Sequence, residues 1–204
     1  MHRPLLLGSF VFVLALLALF ARAAVQAGTA RKLDLTGLVD GSELVLEGRV
    51  LDAQPALDTR GRPATRYTLS VARTFRGAGA PVRDVVLPGG VLPDGRGLVL
   101  PGVPVLTQGE EALLFLSRES RAGVRLPVGL SQGHLRIVRA PNGARRLVRE
   151  HGDLELVDGA GRALPPPPAQ ETFDYAAVVA QVEAACVARA AAERSSAPAR
   201  GGRR

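Results

Sequence analysis

Few side chains in this 204-residue sequence are equipped for chemistry, and their spacing is the first thing to weigh. The histidines are His2, His134 and His151, and the single cysteine is Cys186. His134 and His151 flank Ala140-Pro141-Asn142-Gly143-Ala144, whose Pro-Asn-Gly is a strong hairpin signal. A hairpin there would bring the two imidazoles together with Glu150 or Asp153 close by. Such a group suits a metal ion or a proton transfer. However, the chain has no His-Glu-x-x-His and no histidines paired at helical spacing, so two solvated histidines at hairpin ends is the favoured reading. Gly129-Leu130-Ser131-Gln132-Gly133 formally matches Gly-x-Ser-x-Gly. A nucleophile elbow needs a strand running into a helix. Here a strand follows from His134, so the match reads as a turn. Glu110, Glu111, Glu150 and Asp153 offer no pairing that selects glycoside chemistry. Pro88-Gly89-Gly90 opens onto more loop, not onto the helix that a phosphate cradle requires. One cysteine allows no internal disulfide and no thiolate metal cluster, and Cys186 fits a helix face. The expectation is a protein without catalytic residues, metal or cofactor.

The elements that must position any site are mostly strands. Leu44, Leu46, Gly48 and Val50 alternate with polar residues, as do Tyr67, Leu69 and Val71. Val82 to Leu87 reads as a strand, and so does Ala112 to Leu116, a continuous apolar run suited to burial on both faces. Val124 to Leu130, His134 to Arg139, Arg145 to Glu150 and Asp153 to Val157 complete the set. Gly28 to Lys32 reads as loose, Leu33 to Val39 as a short helical turn, and Gln54 to Pro63 as a polar loop. Thr172 is placed as the cap of a helix to about Ala192, with Tyr175, Val178, Val179, Val182 and Cys186 forming its apolar stripe. The fold class expected is mainly β: a small antiparallel open barrel, OB-like, or a barrel-like sandwich, with one C-terminal helix.

The N-terminus reads as an export signal. His2 and Arg3 precede an uncharged run from Leu5 to Phe20, and small residues then lead to cleavage after Ala27 or Ala23. The run has 16 residues, short of the roughly 20 of a spanning helix, so a membrane anchor is the alternative and membrane association is expected only if the signal stays uncleaved. The organisation expected is a signal peptide over 1–27, a β-barrel-like domain over 28–163, a Pro-rich linker over 164–171, a helix over 172–192 and a disordered basic tail over 193–204. The formal charge of +7 is misleading. Residues 28–188 carry 19 basic and 18 acidic residues, so no footprint for nucleic acid remains on the domain.

Five segments together resemble an uncharacterised group of exported bacterial β-domains: Leu46 to Val50, Val71 to Gly77, Pro88 to Gly90, Gly109 to Leu116, and Val128 to Gly133. The group's patterns there are v-G-x-V, V-x-x-x-x-(K/R)-G, P-G-G, G-E-x-x-L-x-F-L and V-G-x-x-Q-G. The resemblance covers about residues 44–139 and is distantly similar to the OB-fold and netrin-like barrels. Netrin-like inhibitors use an N-terminal Cys and several disulfides, which this chain lacks, so that mechanism does not carry over. The group brings no known activity.

The functional expectation is an exported, periplasmic or extracellular, non-catalytic binding module. Its partner would be a protein or an envelope component, not nucleic acid. A membrane-tethered accessory protein and a secreted hydrolase are the alternatives. Residues 88–109 hold four prolines and six glycines and fit no regular element. Long structured loops in small domains often carry function. Leu92, Val99, Leu100, Val103 and Val105 are therefore the candidate partner-binding residues, against the plainer reading that they fold over one end of a barrel as core.

Overall fold

A computed structural model describes residues 28–196. The export signal expected over 1–27 and the end of the basic tail, 197–204, lie outside the described residues. The domain is mainly β. A seven-stranded antiparallel sheet runs in the order β11-β9-β8-β7-β2-β3-β4. Its strands are β2 (Leu44–Leu57), β3 (Pro63–Arg76), β4 (Val82–Pro88), β7 (Glu111–Leu116), β8 (His134–Arg139), β9 (Arg145–Glu150) and β11 (Gln170–Asp174). Two small sheets lie outside it. β1 (Thr29–Arg31) pairs with β10 (Glu155–Val157), and β5 (Gly90–Val91) pairs with β6 (Gly97–Leu98). The helices are α1 (Leu35–Gly41) and α2 (Tyr175–Ser196).

The apolar run of β7 explains the layering. Successive strand side chains point to opposite faces. Leu113 and Phe115 enter a core with Leu38, Leu135, Leu147, Val178, Val182 and Cys186, beneath both helices. Ala112, Leu114 and Leu116 enter a second core with Leu46, Val50, Tyr67, Leu69, Val85 and Leu87. The second core is formed where β2 and β3 carry the sheet around, helped by register shifts at Val45/Leu46, Glu47/Gly48 and Val50/Asp52. The return from β7 reaches the edge strand β4. Ser117 N–H donates to Leu126 O at 2.9 Å, and Arg125 N–H donates to Val86 O at 2.9 Å.

Several expectations are corrected. Gln54 to Pro63 is not a loop: β2 and β3 run 14 residues each, to Leu57 and from Pro63, and only Asp58–Arg62 turns. Asp58 holds that turn, its Oδ1 accepting from Arg60 N–H and Arg62 N–H and its Oδ2 from Arg62 Nε. Asp158 repeats the same geometry with Ala160 and Arg162, in a matching Asp-x-x-Gly-Arg sequence. Gly28 to Lys32 is not loose, because β1 finds a parallel partner more than 120 residues away in β10. Val124 to Leu130 forms no strand; a single bridge joins Leu116 and Pro127, and Leu130–Gly133 is a 3-10 turn. Nor do the prolines end the β domain, since Gln170–Asp174 beyond them pairs with β9. The helix begins at Tyr175, its first turn capped by Asp174, whose Oδ1 accepts from Ala177 N–H at 3.0 Å, and it extends to Ser196. Thr172 lies in β11, and Glu193 to Ser196 are helical instead of tail.

α2 is long and apolar enough to cross a membrane by length and composition. Its expected stripe packs on the sheet, with Val178, Val179, Val182 and Cys186 buried and Tyr175 partly so. Its charges face the same way. Glu183 pairs with Arg73, Glu193 with Arg76 at 2.6 Å, and Arg189 with Asp40 at 3.6 Å.

Candidate binding site

The irregular segment after β4 folds into a ridge. β5 and β6 form a miniature hairpin, with Leu92 N–H donating to Arg96 O at 2.8 Å. From Val99 to Val105 the chain runs irregularly between two exposed valines, then turns inward at Leu106, which is buried in the second core. Leu106 N–H donates to Tyr67 Oη at 3.3 Å, which secures the return. Gly102 anchors the crest. It sits at φ +78°, and a Cβ there would meet Leu154 Cδ1 at 2.8 Å and Leu130 Cδ1 at 3.0 Å, so only glycine fits without displacement.

A cavity lies on each side of this ridge, and Val99, Leu100, Val103, Pro104 and Val105 line both. On the sheet side is an apolar groove of about 420 Å³, floored by Ala53, Pro55, Tyr67 and Leu87 and closed by Val91 and Leu98. On the other side is a cavity of about 630 Å³ whose far wall is polar: Ser131, His134, Glu150, His151 and Asp153. His134, His151, Glu150 and Asp153 share this wall without forming a cluster, and the two histidines are not the solvated pair expected at the hairpin ends: His151 is buried, His134 is largely so, and each imidazole turns to a different carboxylate.

Four of the five candidate loop residues therefore stand on one ridge. Val99 is 86% exposed and Val105 80%, while Leu100 and Val103 are half-buried. Leu92 differs, being buried within the β5–β6 hairpin. The neighbour that sequence reasoning missed is Val91, 65% exposed at the groove's edge. It sits in a two-residue strand too short for periodicity to mark.

The imidazoles of the polar wall are already engaged, by carboxylates outside it. Ser131 Oγ donates to the His151 carbonyl at 3.4 Å, not to an imidazole. His134 Nε2 lies 2.6 Å from Glu110 Oε1, and Glu110 Oε2 accepts from Thr107 N–H at 3.2 Å. Burial would raise the Glu110 carboxyl, but the His134 hydrogen bond and charge outweigh it and hold the group below its ordinary value. His151 is 2% exposed, and its Nε2 lies 2.9 Å from Glu171 Oε2. Among the described residues no three of His, Cys, Asp and Glu are grouped to hold a metal ion. Cys186 is buried in the core under α2, and burial pushes its thiol up.

The Gly-x-Ser-x-Gly segment is a structural tie. Gln132 Oε1 accepts from Leu33 N–H at 2.9 Å, and its Nε2 donates to Arg31 O at 2.9 Å and Gly129 O at 3.1 Å. One buried amide thus fastens the N-terminal segment to the turn before β8. No family model matches this sequence, and no curated protein does either.

Proposed function

We propose that this chain is an exported, non-catalytic binding module that holds an extended, apolar segment of a partner protein in the groove beside the 99–105 ridge. The observation that carries this reading is the placing of Val91, Val99 and Val105. All three are exposed, and all three line one apolar groove of about 420 Å³. Scattered exposed valines are ordinary, whereas apolar residues gathered around a concave, pre-formed groove mark an interaction site. The ridge is fixed at Gly102 and at Leu106, so its residues are presented on a rigid support.

The export part of this reading is supported by the tripartite N-terminus, the pattern of a signal for a periplasmic or extracellular protein. We also read the domain as belonging to the OB-like open-barrel class, in keeping with its resemblance to exported β-domains with that pattern. The curl of β2 and β3 and the hydrogen bond from the 117–128 return to β4 support this. In such barrels, loops and faces carry the binding.

A displayed library of short peptides, selected on the mature domain, tests the proposal. Peptides rich in apolar residues should be enriched, and V99D/V105D should weaken them by about tenfold or more, or about 1.4 kcal/mol. Both valines are exposed, so the double variant should keep its melting temperature. A library that enriches nothing, or binders indifferent to V99D/V105D, would overturn the groove as the site.

A further inference from the structure

β2 outruns one of its two neighbours. It pairs with β3 from Val45 to Leu57, but with β7 only from Leu44 to Arg49. Val50 N–H then donates to Glu110 O, and Val50 O accepts from Gly109 N–H, both at 2.8 Å. Gln108 Nε2 donates to Leu51 O at 2.9 Å. The row that β7 fills stops at that side chain. From Ala53 to Leu57, this side of β2 is an open edge.

The backbone groups that face the opening follow from β3 and β4. Pro63 O accepts from Gly89 N–H at 3.0 Å, so Pro63 turns its carbonyl toward β4. Arg66 stands opposite Val86, whose O is taken from the far side by Arg125 N–H. That pair exchanges no bonds, so Arg66 also turns toward β2. Ala64 and Arg66 thus face Ala56 and Gln54, their register partners. Ala53, Pro55 and Leu57 then direct their groups away from β3. Proline has no N–H, so the edge offers two N–H and three C=O groups. None has a hydrogen-bond partner among the described residues. Nor is the edge sealed: Pro55 is exposed, Leu57 is 51% exposed and Ala53 is half-buried. Native edges are blunted by charge, cover or proline, and here Pro55 removes only one donor of three.

The groove adjoins this edge. Ala53 and Pro55 belong to its floor, beside their partners Tyr67 and Thr65 on β3. Leu57 lies on the same face by alternation, while Asp52 and Gln54 lie on the other. The Asp52 carboxylate accepts only from Gln54 Nε2, at 3.1 and 3.2 Å, and pairs with no cation among the described residues.

We propose that the partner's segment binds as an added β-strand on the open edge of β2, in line with β7, with apolar side chains at alternate positions in the groove and a Lys or Arg on the opposite face beside Asp52. This rests on the groove reading above and specifies the occupant's backbone and charge. Free N–H and C=O groups along one edge are matched by extended polypeptide. The apolar floor takes every second residue, and the uncompensated carboxylate selects a cation on the residues between. A second copy of this chain is a poorer complement, because it offers the same carbonyl-rich edge and the same Asp52.

The peptides selected from the displayed library are the probe, each remade with N-methyl groups on one or the other set of alternate amides. One set should weaken binding about tenfold or more, through its lost hydrogen bonds, and the other should spare it. Hydrogen exchange by NMR on the wild-type protein is the second readout. The Ala53 and Leu57 amides should exchange freely alone and become protected when peptide is added. Asp52→Lys, at a partly exposed position, should keep its melting temperature and enrich Asp or Glu where the wild type enriches Lys or Arg. Binders that V99D/V105D weakens but that tolerate both methylated sets would leave the groove standing and overturn the added strand. A library that enriches nothing would overturn both. Protection of Ala53 and Leu57 that grows with protein concentration, without peptide, would give the edge to a second copy and also overturn it. An unchanged charge preference in Asp52→Lys would overturn the assignment of the cation.

Discussion

Tyr175 Oη donates to Glu47 Oε2 at 2.6 Å, joining the first residue of α2 to the beginning of β2 across 128 residues of sequence. Arg145 completes the group. It pairs with Glu47 Oε1, and its guanidinium carbon lies 3.9 Å from the centre of the Tyr175 ring. Burial first, and then Glu47, push the Tyr175 phenol above its ordinary value. The contact fixes where the helix starts on the sheet. Tyr175→Phe keeps the ring under Arg145 and removes only the donor to a buried carboxylate. The expected loss is about 1.5–3 kcal/mol. Glu47→Ala should lose more, because it leaves Arg145 without its partner. Urea denaturation of the three proteins measures both, and a Tyr175→Phe curve superimposable on the wild type would show that the hydrogen bond does not hold the helix.

Acid should loosen the ridge before it unfolds the sheet. The Glu110 carboxyl is held below 4.5 in the folded protein, against that ordinary value when unfolded. A depressed carboxyl stabilises the fold at pH values above the unfolded value. That stability is lost as pH falls through the folded value. Glu110 also accepts from Thr107 N–H, just beyond the ridge, so its protonation acts there first. Melting temperature should fall as pH is lowered from about 5 toward 3. Glu110→Gln should lower the melting temperature at pH 7 and flatten part of this acid slope. An unaltered slope in the variant would assign the acid sensitivity to other carboxylates.

What was legible in the sequence follows the range of the interactions involved. The β7 run and the β8–β9 hairpin are local patterns, and both read correctly, down to the turn at Ala140–Ala144. β1 was invisible because three residues with no apolar alternation become a strand only by pairing with β10. β11 was hidden by the prolines before it, and the cap at Asp174 by an earlier candidate, Thr172, which suits a helix starting at Phe173 and not at Tyr175. The length of β2 and β3 was missed because their outer arms carry polar and exposed residues, so periodicity fails where burial fades. The loop was readable as irregular, but its division into a buried Leu92 and exposed Val99 and Val105 depends on what it lands on. The His151–Glu171 contact needed the β9–β11 pairing, which no local spacing shows.

The two Asp-x-x-Gly-Arg turns have the same hydrogen bonds but stand in different places. Asp58 is buried and joins two 14-residue strands, while Asp158 is half-buried and closes a short arm beyond β10. Thr59, inside the first turn, also has its N–H bonded to Ala122 O at 3.0 Å, which ties the turn to the 117–128 return. Asp58→Ala should therefore lower the melting temperature clearly more than Asp158→Ala. Thermal melts of the pair decide, and equal shifts would mean that the local hydrogen bonds alone, not their place in the fold, set the effect.

The turn before β8 should tolerate no side chain at Gly133. A Cβ there would meet Val128 O at 2.5 Å, Val128 N at 2.8 Å and Phe115 O at 3.0 Å. All three are backbone atoms, and none can swing aside as a side chain would. Val128 N–H donates to Phe115 O at 2.8 Å, so the methyl group would press on the bond that brings the 117–128 return back against β7. Gly133→Ala is expected to destabilise the domain by about 3–5 kcal/mol, at the upper end for a single substitution. Gly159→Ala, at a position with open space within 4 Å, is the matched control and should change stability by less than about 0.5 kcal/mol. Chemical denaturation compares the two. A Gly133→Ala protein as stable as the control would mean that Val128 can retreat and that the close approach does not constrain the turn.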